Sequence, residues 1–175
     1  EKDYGGRGAE PIVSALIYER LGQVGLGAWS VVAVSIGLAG TCIQFWGTED
    51  LKDRYLRPAA KGEIILAYAL TEPEAGSDPT AITTSFEEEN DHYLINGSKY
   101  LITNGSIADS TIVFAYPKGK QEGMTAFVVD NKSDGFEVPL ELKEKLGFFT
   151  SDTALLEFTD VKVPKENVLG LPGKG

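Results

Sequence analysis

The hydrophobic spacing of this chain changes once, at Gly62, and that change divides it into two kinds of structure. Upstream, Ile12, Ala15, Leu16 and Leu21 recur at the three- and four-residue spacing of one helix face, with Glu19 among them. Pro11 fits the first turn, where its missing N–H costs nothing, and the helix is expected to close at Gly22 or Gly25. A second helix is expected over residues 28–45. A third should start at Thr48, whose hydroxyl can cap it and whose first turn carries Glu49 and Asp50, and run to about Leu56.

Downstream the period shortens to two. IILAYAL reads as a short buried strand, and ITTSFEEE alternates. HYLINGSKYLIT reads as two strands joined at Asn96-Gly97, a dipeptide that strongly favours tight hairpin turns. STIVFAY, MTAFVVD, GFEVPL and ALLEFTDVKV continue as short strands between Gly, Asp, Asn and Lys turns. Helices followed by strands make the α+β pattern and argue against an alternating βαβ nucleotide fold. The expected architecture is a helical-bundle segment over residues 1–62, then an antiparallel β-barrel over residues 63–175.

From Val24 to Trp46 there is no charged side chain, long enough to nominate a membrane span. Gln23, Ser30, Ser35, Thr41, Gln44, Gly37 and Gly40 dilute the stretch, and the acidic Glu49 and Asp50 stand where a basic flank would be. A helix buried inside a bundle accounts for the same pattern, its small residues permitting close approach, so no membrane span is expected.

A net charge of −10 leaves no basic surface for phosphate backbones, and nucleic acid is set aside. Cys42 is the single cysteine, in the apolar run GTCIQFW, and reads as a structural thiol. His92 is the single histidine, and neither a Ser-His-Asp triad nor a His/Cys metal cage with metal-site spacing is recognisable. GGRGAE lacks the spacing and the preceding strand of a dinucleotide fingerprint. Glu87, Glu88 and Glu89 read as a solvated hairpin tip, and Lys143 and Lys145 as solvated cations able to meet a phosphate. EKDYGGRG and LGLPGKG, at the two ends, both read as loops internal to a longer polypeptide.

The stretch YALTEPEAGSD, residues 68–78, is a strand end followed by a Pro/Gly loop. Gly76 carries no side chain, so backbone amides there can approach a ligand, and Thr71 and Ser77 add hydroxyl donors. Taken by itself this is either an anion-binding turn or an ordinary strand–loop connection, the commoner use of such residues.

Ala69-Leu70-Thr71-Glu72, then Ala75-Gly76-Ser77-Asp78 two residues on, then Ala81, resembles the signature of the acyl-CoA dehydrogenase family at every defined position. Ile95 to Gly105 (INGSKYLITNG) is similar to that family's next flavin-contacting strand. Lys145-Leu146-Gly147, Ser151-Asp152-Thr153 and FTDVKVPKENVLG resemble its late strand and exit loop. The similarity runs over essentially the whole chain.

The resemblance implies FAD-dependent α,β-dehydrogenation of an acyl-CoA thioester, with an electron-transferring flavoprotein as oxidant. Tyr68, Leu70 and Thr71 would run along the pyrimidine edge of the flavin, offering main-chain groups and the Thr71 hydroxyl to its heteroatoms. Such donors stabilise the charge that collects there on reduction. Gly76 and Ser77 would meet the FAD pyrophosphate, and Ser77 also the CoA arm. Thr103 would face flavin N5, with Ile102 contributing backbone. Leu101 stands where many members carry an aromatic residue, usually Trp; it keeps an apolar wall but loses ring stacking, while Tyr100 is expected on the opposite strand face. Glu72 reads as structural rather than as the base, which in the family comes from a C-terminal helical domain absent here, so no catalytic residue is expected in this chain. The family further implies a homotetramer or homodimer, in bacterial cytoplasm or the mitochondrial matrix. Its rivals are an acyl-CoA oxidase, a flavoprotein relative that does not dehydrogenate thioesters, and a non-catalytic β-module tethered by the apolar helix.

Overall fold

The computed structural model describes residues 2–175. Three helices come first: α1 over Pro11–Val24, α2 over Leu26–Trp46 and α3 over residues 49–61. Pro11 opens α1 as its spacing predicts, and Gly25 ends it, its N–H donating to Leu21 O at 3.0 Å. The Thr48 hydroxyl accepts from Leu51 N and caps α3, also as expected.

Helix α3 runs past Leu56. An Arg57-Pro58 pair reads as a boundary because the proline ring crowds the preceding turn. The chain winds Lys52–Leu56 as a wider π-helix directly ahead of Pro58, continues through Arg57–Lys61, and stops at Gly62 in a left-handed conformation (φ 75°). Helix α2 has a similar π-helical centre over Ala33–Gly40. Its small-residue face, Ser35, Ala39, Gly40 and Ile43, is buried, and Ser35 Oγ accepts from Leu66 N at 3.0 Å. The other face is not enclosed, contrary to the expectation of a helix buried all round: Ile36, Leu38, Phe45 and Trp46 are exposed. By length and composition alone Leu26–Trp46 could cross a membrane; its small-residue face is committed to the sheet.

Eight strands follow: β1 Leu66–Ala69, β2 Ser85–Glu88, β3 His92–Thr103, β4 Ser110–Pro117, β5 Thr125–Asp130, β6 Phe136–Glu141, β7 Thr153–Pro164 and β8 Val168–Leu169. The α+β class is as expected. The sheet is an open path β6-β7-β3-β2-β4-β5-β8 rather than a closed barrel, with β1 attached to β4. Most pairs are antiparallel, but β1 and β2 each run parallel to β4.

Asn96-Gly97 is not a turn. β3 is one unbroken strand of 12 residues, and the chain reverses earlier, at Glu89–Asp91, where Glu89 N donates to His92 O at 2.9 Å. Gly97 (φ 143°) lies at a register shift against β7, and a Cβ there would sit 2.7 Å from Thr84 Cα. Its glycine admits a neighbouring backbone at a bulge instead of closing a hairpin.

Strand β4 is buried over its first seven residues and separates two cores. Val113 and Ala115 join Ala67, Ala69, Ile95, Phe127 and Leu156 on one side of the sheet. Ile112, Phe114 and Tyr116 join Ala39, Ile43, Leu51 and Leu66 under the helices. β1 is thus clamped on both faces, which fixes where the loop after it begins.

Candidate functional site

The loop leaving β1 meets the far half of β3. Tyr100 N donates to Thr71 O at 2.8 Å, so the backbones at Thr71 and Tyr100 are locked side by side. Beyond Thr71 the chain folds on itself, Glu72 and Ala75 exchanging backbone hydrogen bonds at 2.8 and 3.2 Å. Gly76 follows with no atom within 4 Å of where a Cβ would lie. Asp78 closes the loop by accepting from Thr80 N and Thr80 Oγ1, which holds its carboxyl below the usual range. Ser77 is exposed, and Thr71 and Thr103 are half-buried. The hydroxyls of Thr80, Thr83 and Thr84 are engaged by neighbours, whereas those of Thr71, Ser77 and Thr103 have no protein partner among the described residues. These are the donors and the bare backbone that a cofactor with ring heteroatoms and a pyrophosphate requires.

The remaining expected contacts divide by strand face. Tyr68 and Leu70 alternate with Ala69 and lie toward the helix-side core, the Tyr68 ring 5.2 Å from that of Phe114. Leu70 O already accepts from Lys99 Nζ at 3.0 Å. Ile102 is buried, its side chain in the sheet core.

Plain alternation does not hold at Tyr100 and Leu101. The β3–β7 register shifts between Lys99 and Ile102, both of them buried, and Leu101 takes a left-handed conformation (φ 59°) with 53% of its surface exposed. Such a conformation costs a leucine on the order of 1–2 kcal/mol, and strain of this kind gathers at ligand sites. Thr103 ends the strand opposite Thr153. Asn104 (φ 66°) then turns the chain, its amide donating to Val31 O and Leu66 O, and Asp152 accepts from Ser106 N and Oγ. Lys145 is drawn inward to Ser151 O and Thr153 Oγ1, whereas Lys143, 80% exposed, pairs with Glu141 at 3.1 Å on the surface.

Under the loop lies a pair that the sequence reading missed. The Glu72 carboxylate is buried and accepts from Thr83 N (2.6 Å), Thr83 Oγ1 (2.8 Å), Thr84 N (2.9 Å) and Lys99 Nζ (2.9 Å). Burial alone raises its pKa; hydrogen bonds from Thr84, Lys99 and Thr83 overcome that and hold it at about 2. A carboxylate so stabilised is a poor proton acceptor, which supports a structural part for Glu72. Burial lowers Lys99 to about 8 against the opposing pull of Glu72. The signal was present: Lys99 shares the parity of the buried Tyr93 and Ile95 on β3.

A family model described as acyl-CoA dehydrogenase, middle domain, matches residues 67–161, and one described as the N-terminal domain matches residues 1–63. The short-chain specific acyl-CoA dehydrogenase of Clostridium acetobutylicum is 41% identical over 99% of this chain and 46% of its own length. A chain in a structure of the electron transferring flavoprotein of Acidaminococcus fermentans superimposes with a TM-score of 0.95 at 40% identity, covering 100% of this chain and 46% of that one. An acyl-CoA dehydrogenase from Bacillus anthracis complexed with FAD gives a TM-score of 0.92 at 38% identity, over 100% and 30%. The chain therefore spans about half or less of the length of these relatives. With the middle-domain match covering β1 through most of β7, where the Thr71 loop and the Thr103 strand meet, the chain belongs to the acyl-CoA dehydrogenase family.

Proposed function

We propose that this chain supplies flavin and CoA contacts to an enzyme that dehydrogenates an acyl-CoA thioester between its α and β carbons. The observation that carries the reading is the Tyr100 N–Thr71 O bond, which sets two segments with uncommitted hydroxyls beside each other. FAD, when bound, supplies the acceptor for the electrons leaving the β carbon. Thr71 and Thr103 would donate to the ring, and Leu101 would wall its edge. Gly76 and Ser77 would receive the pyrophosphate, Gly76 through bare amides, with Ser77 also beside the CoA arm. Glu72 stays ionised beneath them and takes no proton. The base that removes the α-proton is assigned to none of these residues.

In this reading residues 1–62 form part of a helical domain and residues 63–175 the flavin-binding domain. The complete protein is a homotetramer or homodimer, and an electron-transferring flavoprotein reoxidises it. Related proteins support both cofactor and oxidant: one was solved with FAD, another in a structure of an electron transferring flavoprotein. The test is anaerobic mixing of the complete natural polypeptide that carries these residues with a panel of acyl-CoA thioesters. Bleaching of the visible flavin band by at least one thioester is expected, with little oxygen consumption in air. Failure of every thioester to bleach it defeats the proposal, and rapid oxygen consumption redirects it to an oxidase.

A further inference from the structure

The Lys99–Glu72 pair joins the two segments of the site without being open to a ligand. Lys99 is 0% and Glu72 4% exposed, so neither touches anything bound at the surface. Each nevertheless holds main chain next to a candidate contact. Lys99 Nζ donates to Leu70 O at 3.0 Å, one residue before Thr71, and lies on β3 two residues before Leu101. Glu72, one residue after Thr71, grips Thr83 and Thr84, and Thr84 Oγ1 donates back to Ser98 O at 3.3 Å on β3. The chain from Leu70 to Glu72 is therefore tied on both sides of Thr71 to the strand that carries Leu101, Ile102 and Thr103.

Resting on the reading of these segments as the flavin site, we infer that Lys99 and Glu72 are positioning residues that set the offset between the Thr71 loop and the Leu101 bulge. A bulge tolerates slippage, and β3 is already irregular between Lys99 and Ile102. A buried ion pair is a poor source of net stability but fixes one arrangement, because every alternative leaves a charge unpaired out of water. Its location beneath the strained Leu101 is where a fixed offset has the most effect on what the two hydroxyls can reach.

The test separates position from stability. Lys99→Met leaves a buried carboxylate without its cation, so both melting temperature and FAD retention should fall. Lys99→Met with Glu72→Gln removes both charges and keeps one amide oxygen, enough for the two Thr83 donors but not also for Thr84 N, which bonds the other carboxylate oxygen; melting temperature should recover part of the loss. The link to Leu70 O is still absent in that double variant. Its FAD dissociation constant should therefore remain raised by about 10-fold, the factor that 1.4 kcal/mol represents, with a shifted flavin reduction potential. These measurements use the complete natural polypeptide, and if Lys99→Met does not fold the double variant alone decides. A double variant with parental FAD affinity and potential overturns the inference while leaving the functional reading intact. A parent protein that holds no flavin defeats that reading and this inference together.

Discussion

The first helix and the sheet use apolar side chains in opposite ways. β4 buries its first seven residues between two cores, and every β5 residue before Asp130 is buried. α1, with a comparable share of Ile, Leu and Val, has no buried residue, and Ile12, Leu16, Ile17 and Val24 stand in solvent along with Phe45 and Trp46 of α2. Within this chain, then, the sheet packs on one face around its own core and on the other against α2 and α3, while α1 adds almost no buried surface. The contrast matters for function because the candidate site is built on the densely packed part, where a fixed backbone can hold hydroxyls in place.

Truncations sharpen the contrast most. Phe127→Ala, at a side chain buried to 0% exposure among Phe86, Tyr93 and the sheet core, should cost about 3–5 kcal/mol in urea unfolding. Leu16→Ala, at a side chain 57% exposed, should change stability by less than about 0.5 kcal/mol in this chain. Equal losses at the two positions would break the distinction. A smaller effect, about 1–3 kcal/mol, is expected for Gly97→Ala, because the added methyl would meet Thr84 Cα at 2.7 Å and neither backbone is free to retreat. If Gly97 were a hairpin turn, lengthening that turn would be tolerated; at a close approach it should unfold the strand instead.

Acid should act on the β part through Glu72. Its carboxyl is held at about 2 when folded, against an ordinary 4.5, so the folded state binds the proton less readily. The contribution is whole above about pH 4.5 and is lost as pH falls toward 2. The acid limb of a stability–pH curve should flatten in Glu72→Gln. Lys99 behaves in the other direction: it is lowered to about 8 from 10.5, so between those values the unfolded chain holds the proton longer and this group's contribution to stability rises with pH. Neutral Lys99 grips Glu72 less, so the site should loosen over the same interval in which that contribution grows. A flavin signal and a melting temperature that move together there would contradict the assignment of the pair. The weakest effect belongs to the surface: breaking the exposed Lys118–Glu87 pair should cost less than about 0.5 kcal/mol.

Much of this organisation is legible in the residues. Pro11, Gly25 and Thr48 mark helix ends by backbone chemistry that operates locally, and the structure uses each of them so. The period-two runs locate the strands for the same reason. Features that depend on a distant partner are not legible. Asn96-Gly97 has the chemistry of a turn, and only the passage of Thr84 beside it makes Gly97 a point of close approach. The third helix is expected to end at about Leu56, and in the structure it winds as a π-helix over Lys52–Leu56 and continues through Pro58 to Lys61. The left-handed Leu101 has no propensity to announce it; the bulge is imposed by pairing with β7. Lys99 lies between these cases. Its strand parity marked it as buried, but its partner Glu72 sits on a separate loop that only folding brings near. Thr71 stands out as a hydroxyl beside the Gly76 loop and Thr103 only through family resemblance, and alternation on β1 and β3 does not by itself pair them.

The most direct measurement is the dissociation constant of FAD from the complete polypeptide and from its Thr71→Val/Thr103→Val variant. Each lost hydroxyl donor should cost about 0.5–1.5 kcal/mol, so the double variant should bind FAD about 5- to 140-fold more weakly while its melting temperature without flavin stays unchanged. FAD affinity indifferent to both substitutions would contradict the claim that these two segments form a flavin site.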